Sequence, residues 1–402
     1  MGVDRGRTRA TGLWAVGIVA LGAAVAQAFG RFTYGVLLPA VRDELGISNS
    51  IAGLLGTINV GAYLTGTLLV AVATSSRRLL DVMRWGLVCS TVGLVLAAVA
   101  PGPIVLAIAL AATGIGGAAI WIPAPVVAAG ALAPERRSLA VGLMGSGIGL
   151  GIVFSGQLSA TVRSTMGDDA WRTVYGVQAS IAVVVLAVTV RWIGHDQDRP
   201  VAGRAGVGGF SVLRRMRGWV AITLAYTSFG FMYLLVIAFL TTRLEDDSGW
   251  TGSRASLAFT LLGLAAVVGG PIFIAAARRF GPGRVMATGF TLWSVAVILV
   301  LPGWTIPTLA LSVALGLLFA GLPTTITLYF VENTSVDDYG PSFAAGTLAF
   351  GVAQMLSPQV GGLVADLTGS FTPVFLLSAG FALTGTAAAL RLPRRKVEAT
   401  AT

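Results

Sequence analysis

Long apolar runs separated by short charged gaps make up almost the whole chain. About 20 apolar residues in helical form cross the hydrocarbon core of a bilayer, and twelve runs meet or approach that length. In the first half they are predicted over Leu13–Val41, Ile51–Ala73, Val82–Ala100, Ile104–Leu132, Leu139–Val162 and Val174–Ile193. In the second half they cover Trp219–Thr242, Leu257–Ala277, Val285–Leu301, Ile306–Val331, Phe343–Ala365 and Val374–Leu390. The pattern predicts an all-α membrane protein with twelve transmembrane helices. Arg5, Arg7 and Arg9, followed by an apolar stretch with Ala26-Gln27-Ala28, have the outline of a signal peptide. The run continues to Val41, so it is read as a retained first span.

Composition agrees and removes alternatives. Of 402 residues, 55% are hydrophobic and 11% charged, more apolar surface than a soluble domain can hide. A formal charge of +10 would suit a nucleic-acid binder, but the basic residues lie in the gaps between apolar runs. No nucleic-acid partner is expected; the lipid bilayer is the chain's surroundings. The single cysteine, Cys89, sits inside an apolar run, which excludes an internal disulfide and a cysteine metal cluster. Alternate gaps hold 21 of the 27 basic residues on one side and 5 on the other, with Arg31 left inside a span. The positive-inside rule then puts both termini on the cytoplasmic side; with Lys396 the only lysine and Ala, Gly and Val in excess, the composition suits a GC-rich bacterial genome, so the expected location is a bacterial plasma membrane. Seven of the nine tryptophans fall at or near predicted ends, as an interfacial belt requires.

The chain also repeats itself. Arg42-Asp43-Glu44 after the first run and Arg243-Leu244-Glu245 after the seventh lie 201 residues apart, as do Arg77 with Arg278 and Arg78 with Arg279. Pro123 and Pro323 are 200 apart, and Gly142 with Gly346 and Gly147 with Gly351 are 204 apart. A near-constant offset predicts a duplicated six-helix unit, the copies related by an axis along the membrane normal. The expected division is a bundle over 1–193, a glycine- and charge-rich cytoplasmic linker over 194–217, and a second bundle over 218–402.

The run Gly30-Arg31-Phe32-Thr33-Tyr34-Gly35-Val36-Leu37-Leu38-Pro39 and the Arg-Arg pairs after the second and eighth spans resemble the major facilitator superfamily. More narrowly, Gly-Arg-Phe-x-Tyr-x-x-Leu-Leu-Pro is similar to its YbfB/YjiJ-type branch. The family's loop signature, Gly-x-x-x-Asp-Arg-x-Gly-Arg-Arg, is degraded here. Arg279-Phe280-Gly281 keeps the Arg-x-Gly part with Arg278 where the Asp would be, and Ser75-Ser76-Arg77-Arg78 lacks both Asp and Gly. The resemblance implies a monomeric secondary carrier working by alternating access, with no cofactor. It puts helices 1, 4, 7 and 10 around a central cavity and helices 3, 6, 9 and 12 at the periphery, where Trp293 would face lipid. No Gly-Lys-Ser/Thr follows the glycines of helix 5, which are read as packing, so energy would come from a gradient. A proton is the candidate coupling ion.

Arg31 is the most informative residue. At about 1.5 Å per helical residue it lies about 27 Å from Leu13, in the outer half of the membrane, where a charge needs a partner, a wet cavity or an escape route. It either snorkels outward and caps carbonyls, or it sits in the cavity and attracts an anionic substrate. Helical spacing puts Gln27 and Tyr34 on its face. With Trp121 beside Pro123 on helix 4, Tyr226 and Tyr233 in a stripe with Phe229 on helix 7, and Thr324 on helix 10, these are the candidate substrate-binding residues. Asn59 and Gln354 are polar residues inside spans and are expected to make interhelical hydrogen bonds.

The repeat also proposes gates. Arg42 and Glu44 on one half and Arg243 and Glu245 on the other are placed to pair crosswise at the outer side. At the cytoplasmic side Arg136 and Arg137 would meet Asp337 and Asp338. The spans carry no Asp, Glu or His at mid-depth, which argues against a cation-extruding pump, and no metal-ligand or nucleophile-base set, which argues against an intramembrane enzyme. The absence of a sizeable soluble domain argues against a sensor. The leading expectation is a carrier of a small organic anion such as a monocarboxylate; the alternative is efflux of a neutral or amphipathic compound.

Overall fold

The computed structural model describes residues 12–74, 77–193 and 209–393. Twelve helices long and apolar enough to cross a membrane run over Leu13–Leu45, Asn49–Ala73, Leu79–Ala98, Pro103–Gly130, Leu139–Met166 and Asp168–Trp192, then Trp219–Asp246, Gly252–Phe280, Pro282–Val300, Thr305–Asn333, Asp338–Thr368 and Thr372–Leu390. They are numbered helix 1 to helix 12 in that order. Several run past the apolar stretches that predict them. Arg42, Asp43 and Glu44 form the last turn of helix 1, and Arg243 to Asp246 that of helix 7, because charged side chains that reach water or one another let the backbone ladder continue. Helix 6 begins at Asp168 rather than Val174, through a short 3-10 turn over Asp168–Ala170.

Helix ends follow local chemistry. Ser48, Thr251 and Ser335 each accept a backbone N–H of the first turn of helices 2, 8 and 11, and prolines occupy the first turns of helices 4, 9 and 12. Gly46, with φ 60°, takes the left-handed conformation that ends helix 1 and turns the chain toward Ser48. Pro123 interrupts helix 4 between Pro103–Trp121 and Ala124–Gly130.

Two six-helix bundles result, and their internal pairings match. Helices 1 and 5, 2 and 4, 3 and 4, and 3 and 6 pack together in the first; 7 and 11, 8 and 10, 9 and 10, and 9 and 12 are their counterparts in the second. Most of the expected linker, 194–208, lies outside the described residues. After it Gly209–Leu213 forms a short helix against helix 11. Trp293 does not face lipid: it is fully buried, and its indole Nε1–H donates to Ser378 Oγ of helix 12 at 3.1 Å. A peripheral helix can still turn a polar aromatic inward, where its N–H finds an acceptor that hydrocarbon lacks.

The bundles meet through helices 1 and 7, 2 and 11, and 5 and 8. The side that carries the start of helix 1 and the end of helix 12 is here the termini side; the opposite is the far side. On helix 5, Gly149 and Gly156 press against Val267 and Thr260 of helix 8, but Gly145 and Gly142, which continue the same stripe toward the termini side, have open space in front of them. Helices 2 and 11 behave alike. Gly53 meets the backbone of Pro358 and Gly351 meets Leu64, while Leu68 and Leu348, one turn further, are exposed. The bundles are therefore pressed together on the far side and part toward the termini side.

Candidate substrate site and gates

Helix 1 is not α-helical throughout. Ala24–Phe32 form a π-helical segment, a wide turn in which the ladder runs i to i+5 and which recurs at functional sites. Thr33 shows the pattern, since both its N–H and its hydroxyl bond the carbonyl of Ala28. Side chains from three neighbours hold the wide turn. Asn59 of helix 2 donates to the carbonyl of Gly30 at 2.9 Å, and Gln178 of helix 6 donates to Thr33 Oγ1 at 2.8 Å and to Ser155 Oγ of helix 5 at 3.0 Å.

This segment carries Arg31 toward the other bundle. Its Nη2 donates to Gln354 Oε1 of helix 11 at 2.8 Å and to Tyr233 Oη of helix 7 at 3.2 Å, and Tyr233 Oη donates to the same Gln354 oxygen at 2.7 Å. The guanidinium carbon lies 5.3 Å from the ring centre of Tyr63 and 5.7 Å from that of Phe32, within cation–π range. Among the described residues Arg31 makes no ion pair, and its Nε is buried without an acceptor. Of the two expectations for Arg31, snorkelling does not describe it: the group sits about midway along helix 1 and is held across the boundary between bundles.

The other predicted site residues divide. Gln27 is buried close to Tyr63 and so belongs to the Arg31 cluster. Tyr233 joins it directly. Tyr34 does not: the π turn shifts the register on which an α-helical face was drawn, and the Tyr34 hydroxyl donates instead to the Ala52 carbonyl of helix 2 at 2.8 Å. Tyr226 stacks on Phe350 with ring centres 4.5 Å apart, one layer removed from Arg31. Trp121 packs against the apolar core, and Thr324 bonds the Ala320 carbonyl of its own helix.

Sequence reasoning did not assign Tyr63, Phe319 and Phe350 to this place. Phe319 meets Phe32 edge-on at 5.8 Å and Tyr233 at 5.5 Å, and Phe350 lies nearly parallel to Tyr233. All three are partly exposed beside Arg31. Aromatics inside an apolar span carry no local signal that separates lining from packing.

At the far side, charge crosses the boundary. Arg42 pairs with Asp246, Nη2 to Oδ1 at 3.1 Å. Glu245 takes both Nη atoms of Arg163 at 2.6–2.7 Å, and Arg163 also donates from Nε to Asp168 at 2.6 Å. The Arg163 side chain is 1% exposed, so this is a desolvated, bidentate pair. Arg42 thus meets the acid next to Glu245, and the expected pairing of Arg243 with Glu44 does not form. Arg243 stays in its own bundle, donating hydrogen bonds to Ser248 and the Leu301 carbonyl and ion-paired with Asp247. Glu44 likewise binds Arg172 and Trp171. Asp366 adds a contact of another type: it accepts the N–H groups of Asn49 and Ser50 at the start of helix 2, a carboxylate on the opposite bundle's helix N-terminus.

At the termini side, Arg136 and Arg137 are exposed and make no ion pair among the described residues. The side chain of Asp337 lies outside those residues. Asp338 contributes its backbone N–H to Ser335 Oγ. The expected pairing of Arg136 and Arg137 with the acids after helix 10 is absent as far as the described residues go, as the parted helices require.

Comparison with known proteins agrees with this architecture. The family described as "Uncharacterised MFS-type transporter YbfB" matches residues 23–390. The gentisate transporter of Corynebacterium glutamicum is 27% identical over 358 residues, 82% of this chain and 76% of that one. Monocarboxylate transporter 13 of Bos taurus is 26% identical over 272 residues, 64% of this chain and 61% of its own length, so the match spans less than two thirds of the bovine protein. Among solved structures, a bacterial homolog of the human lysosomal transporter Spinster, in its inward-facing and unoccupied conformation, superposes with a TM-score of 0.70 at 14% identity, covering 97% of this chain and 95% of that one. The occupied form of that homolog gives a TM-score of 0.68, covering 94% of each chain. With twelve spans in two matching bundles and a family match over nearly all of them, the chain belongs to the YbfB-type family of major facilitator transporters.

Proposed function

We propose that the protein is an alternating-access carrier of a small organic monocarboxylate that binds at Arg31. The supporting observation is the state of that residue: a cation about midway along helix 1 with neutral partners, an unmet Nε–H and no acid beside it among the described residues. A charge near the bilayer centre costs from about 3 to over 10 kcal/mol depending on its hydration, so a site that keeps one without a counter-ion is suited to receive an anion. One guanidinium with no second mid-span cation among the described residues favours a single carboxylate. The partly exposed rings of Tyr63, Phe319 and Phe350 favour an apolar body behind it.

The relatives support the same class, one named for monocarboxylates and the other for gentisate, itself a carboxylate. The excess of basic residues supports a cytoplasmic termini side, and in that orientation the parted bundles open toward the cell interior. The test is uptake of labelled monocarboxylates by proteoliposomes of purified protein. Arg31→Ala is expected to abolish uptake while leaving a folded protein, and Arg31→Lys to keep a weakened activity because the two-point fork is lost. Wild-type uptake by the alanine variant overturns the proposal.

A further inference from the structure

Gln354 lies in the middle of helix 11, 1% exposed. Its amide oxygen accepts two hydrogen bonds at once, from Arg31 Nη2 and from Tyr233 Oη. Two donors converging on one oxygen is the arrangement a carboxylate oxygen receives. Yet a glutamine is an incomplete ligand for an arginine: it returns no negative charge, and its single oxygen leaves Arg31 Nε without an acceptor. A carboxylate brings both the charge and the second oxygen. The bond to Gln354 is already assisted by the guanidinium charge; what a carboxylate adds is an opposite charge and a two-point pairing that reaches Nε, and this favours its exchange for the amide.

The depth of this contact gives the exchange a consequence. On its far side the bundles are joined by helix 1 against helix 7 at Gly35, where Thr241 Oγ1 bonds the glycine carbonyl at 2.8 Å, and by helix 2 against helix 11 at Gly53. On its termini side helices 2 and 11 part beyond Leu64 and Gly351. Gln354 is thus one of the last polar links before the open space, and it ties helix 11 to helix 1 through the same atoms an anion would need.

We infer that Gln354 is a stand-in ligand, whose amide oxygen the carboxylate of the substrate replaces between Arg31 and Tyr233, releasing helix 11 from helix 1. The inference rests on the reading of Arg31 as the anion receptor. It makes substrate binding and this link between bundles mutually exclusive, so that occupancy itself shifts the balance between the two states of the carrier. Gln354 is then a positioning residue in the empty protein and a competitor during binding.

The experiment is calorimetric titration of acetate, pyruvate, lactate and benzoate into the full-length detergent-purified protein, wild type against Gln354→Glu and Gln354→Leu. The glutamate variant already holds a carboxylate on Arg31 and is expected to bind these acids at least about tenfold more weakly, while the leucine variant, with no competing oxygen, binds them at least about threefold more tightly. Glutamine acting only as interhelical packing predicts no gain for the leucine variant. A leucine variant that binds no tighter than wild type, with wild-type binding abolished by Arg31→Ala, overturns the stand-in role alone, and does so even where the glutamate variant fails to fold. Wild-type protein that binds none of the four acids, or that binds them unchanged after Arg31→Ala, overturns the reading of Arg31 and this inference with it.

Discussion

The two ends of the bundle interface use charge in opposite ways. On the far side basic residues are few, yet Arg42 and Arg163 each reach an acid of the other bundle, and Arg163 does so with a side chain almost wholly withdrawn from solvent. On the termini side basic residues are many, yet Arg136 and Arg137 stand exposed and unpaired among the described residues. The contrast teaches that the abundance of arginine along the chain reports topology, whereas closure depends on a few arginines placed where helices converge. A count of charges per side reads the first and says nothing of the second.

The largest test of this contrast is Glu245→Ala. It leaves Arg163 buried with Asp168 as its remaining partner, and removing one member of a desolvated pair costs about 3 kcal/mol, the low end of the range for such pairs. The expected outcome is a lower melting temperature together with a shift toward the state open on the far side. The shift is read as increased labelling of a cysteine introduced at Ser50 in a background without Cys89. Unchanged labelling would mean that backbone packing alone holds the far side shut.

A pair of glycine substitutions sharpens the same comparison at intermediate cost. A Cβ at Gly53 runs into the Pro358 backbone, whereas one at Gly142 meets nothing within 4 Å. Gly53→Ala is expected to destabilise this state by about 1–3 kcal/mol through overpacking. Gly142→Ala leaves this state unharmed and gains roughly 1 kcal/mol of helix propensity at an exposed position. Thermal unfolding of the two variants side by side decides it; equal losses would show that the helices do not part at Gly142.

The smallest effect belongs to Arg136→Glu with Arg137→Glu. Because neither side chain has a partner among the described residues, the double reversal is expected to change the stability of this state by less than about 0.5 kcal/mol. Its effect on transport would then come from the opposite state, in which the termini side is closed. A melting temperature several degrees lower would show that these arginines already bind something in the present state.

Much of the architecture is legible in the sequence because span length and repeat offset are local or periodic. Arg31 is legible for a similar reason, since a lone charge stands out in an apolar run. Its partners are not. Gln354 and Tyr233 are neutral and lie more than 200 positions away along the chain, and their convergence is a property of helix packing. Tyr34 was misplaced on the face of Arg31 for a different reason: its position assumes α spacing in a stretch that is π-helical. At the gates, the cross pairing of Arg42 follows from the repeat, but Arg163 looks like any rim charge until helix 5 is seen against helix 7.

The wide turn in helix 1 gives that helix two phases. Before it Ala20 lies against Gly147 of helix 5, and at its first residue Ala24 lies against Gly151, both within their own bundle. After it, Gly35 lies against Ile237 and Ala238 of helix 7, across the boundary. An uninterrupted α-helix keeps one angular setting along its length, about 100° per residue, and a surface tuned for one neighbour would drift out of alignment with the other. A single added residue resets the angle between the two stretches. Helix 1 can thereby be cut from one continuous rod and still serve as a wall on one side of Arg31 and as a bearing on the other.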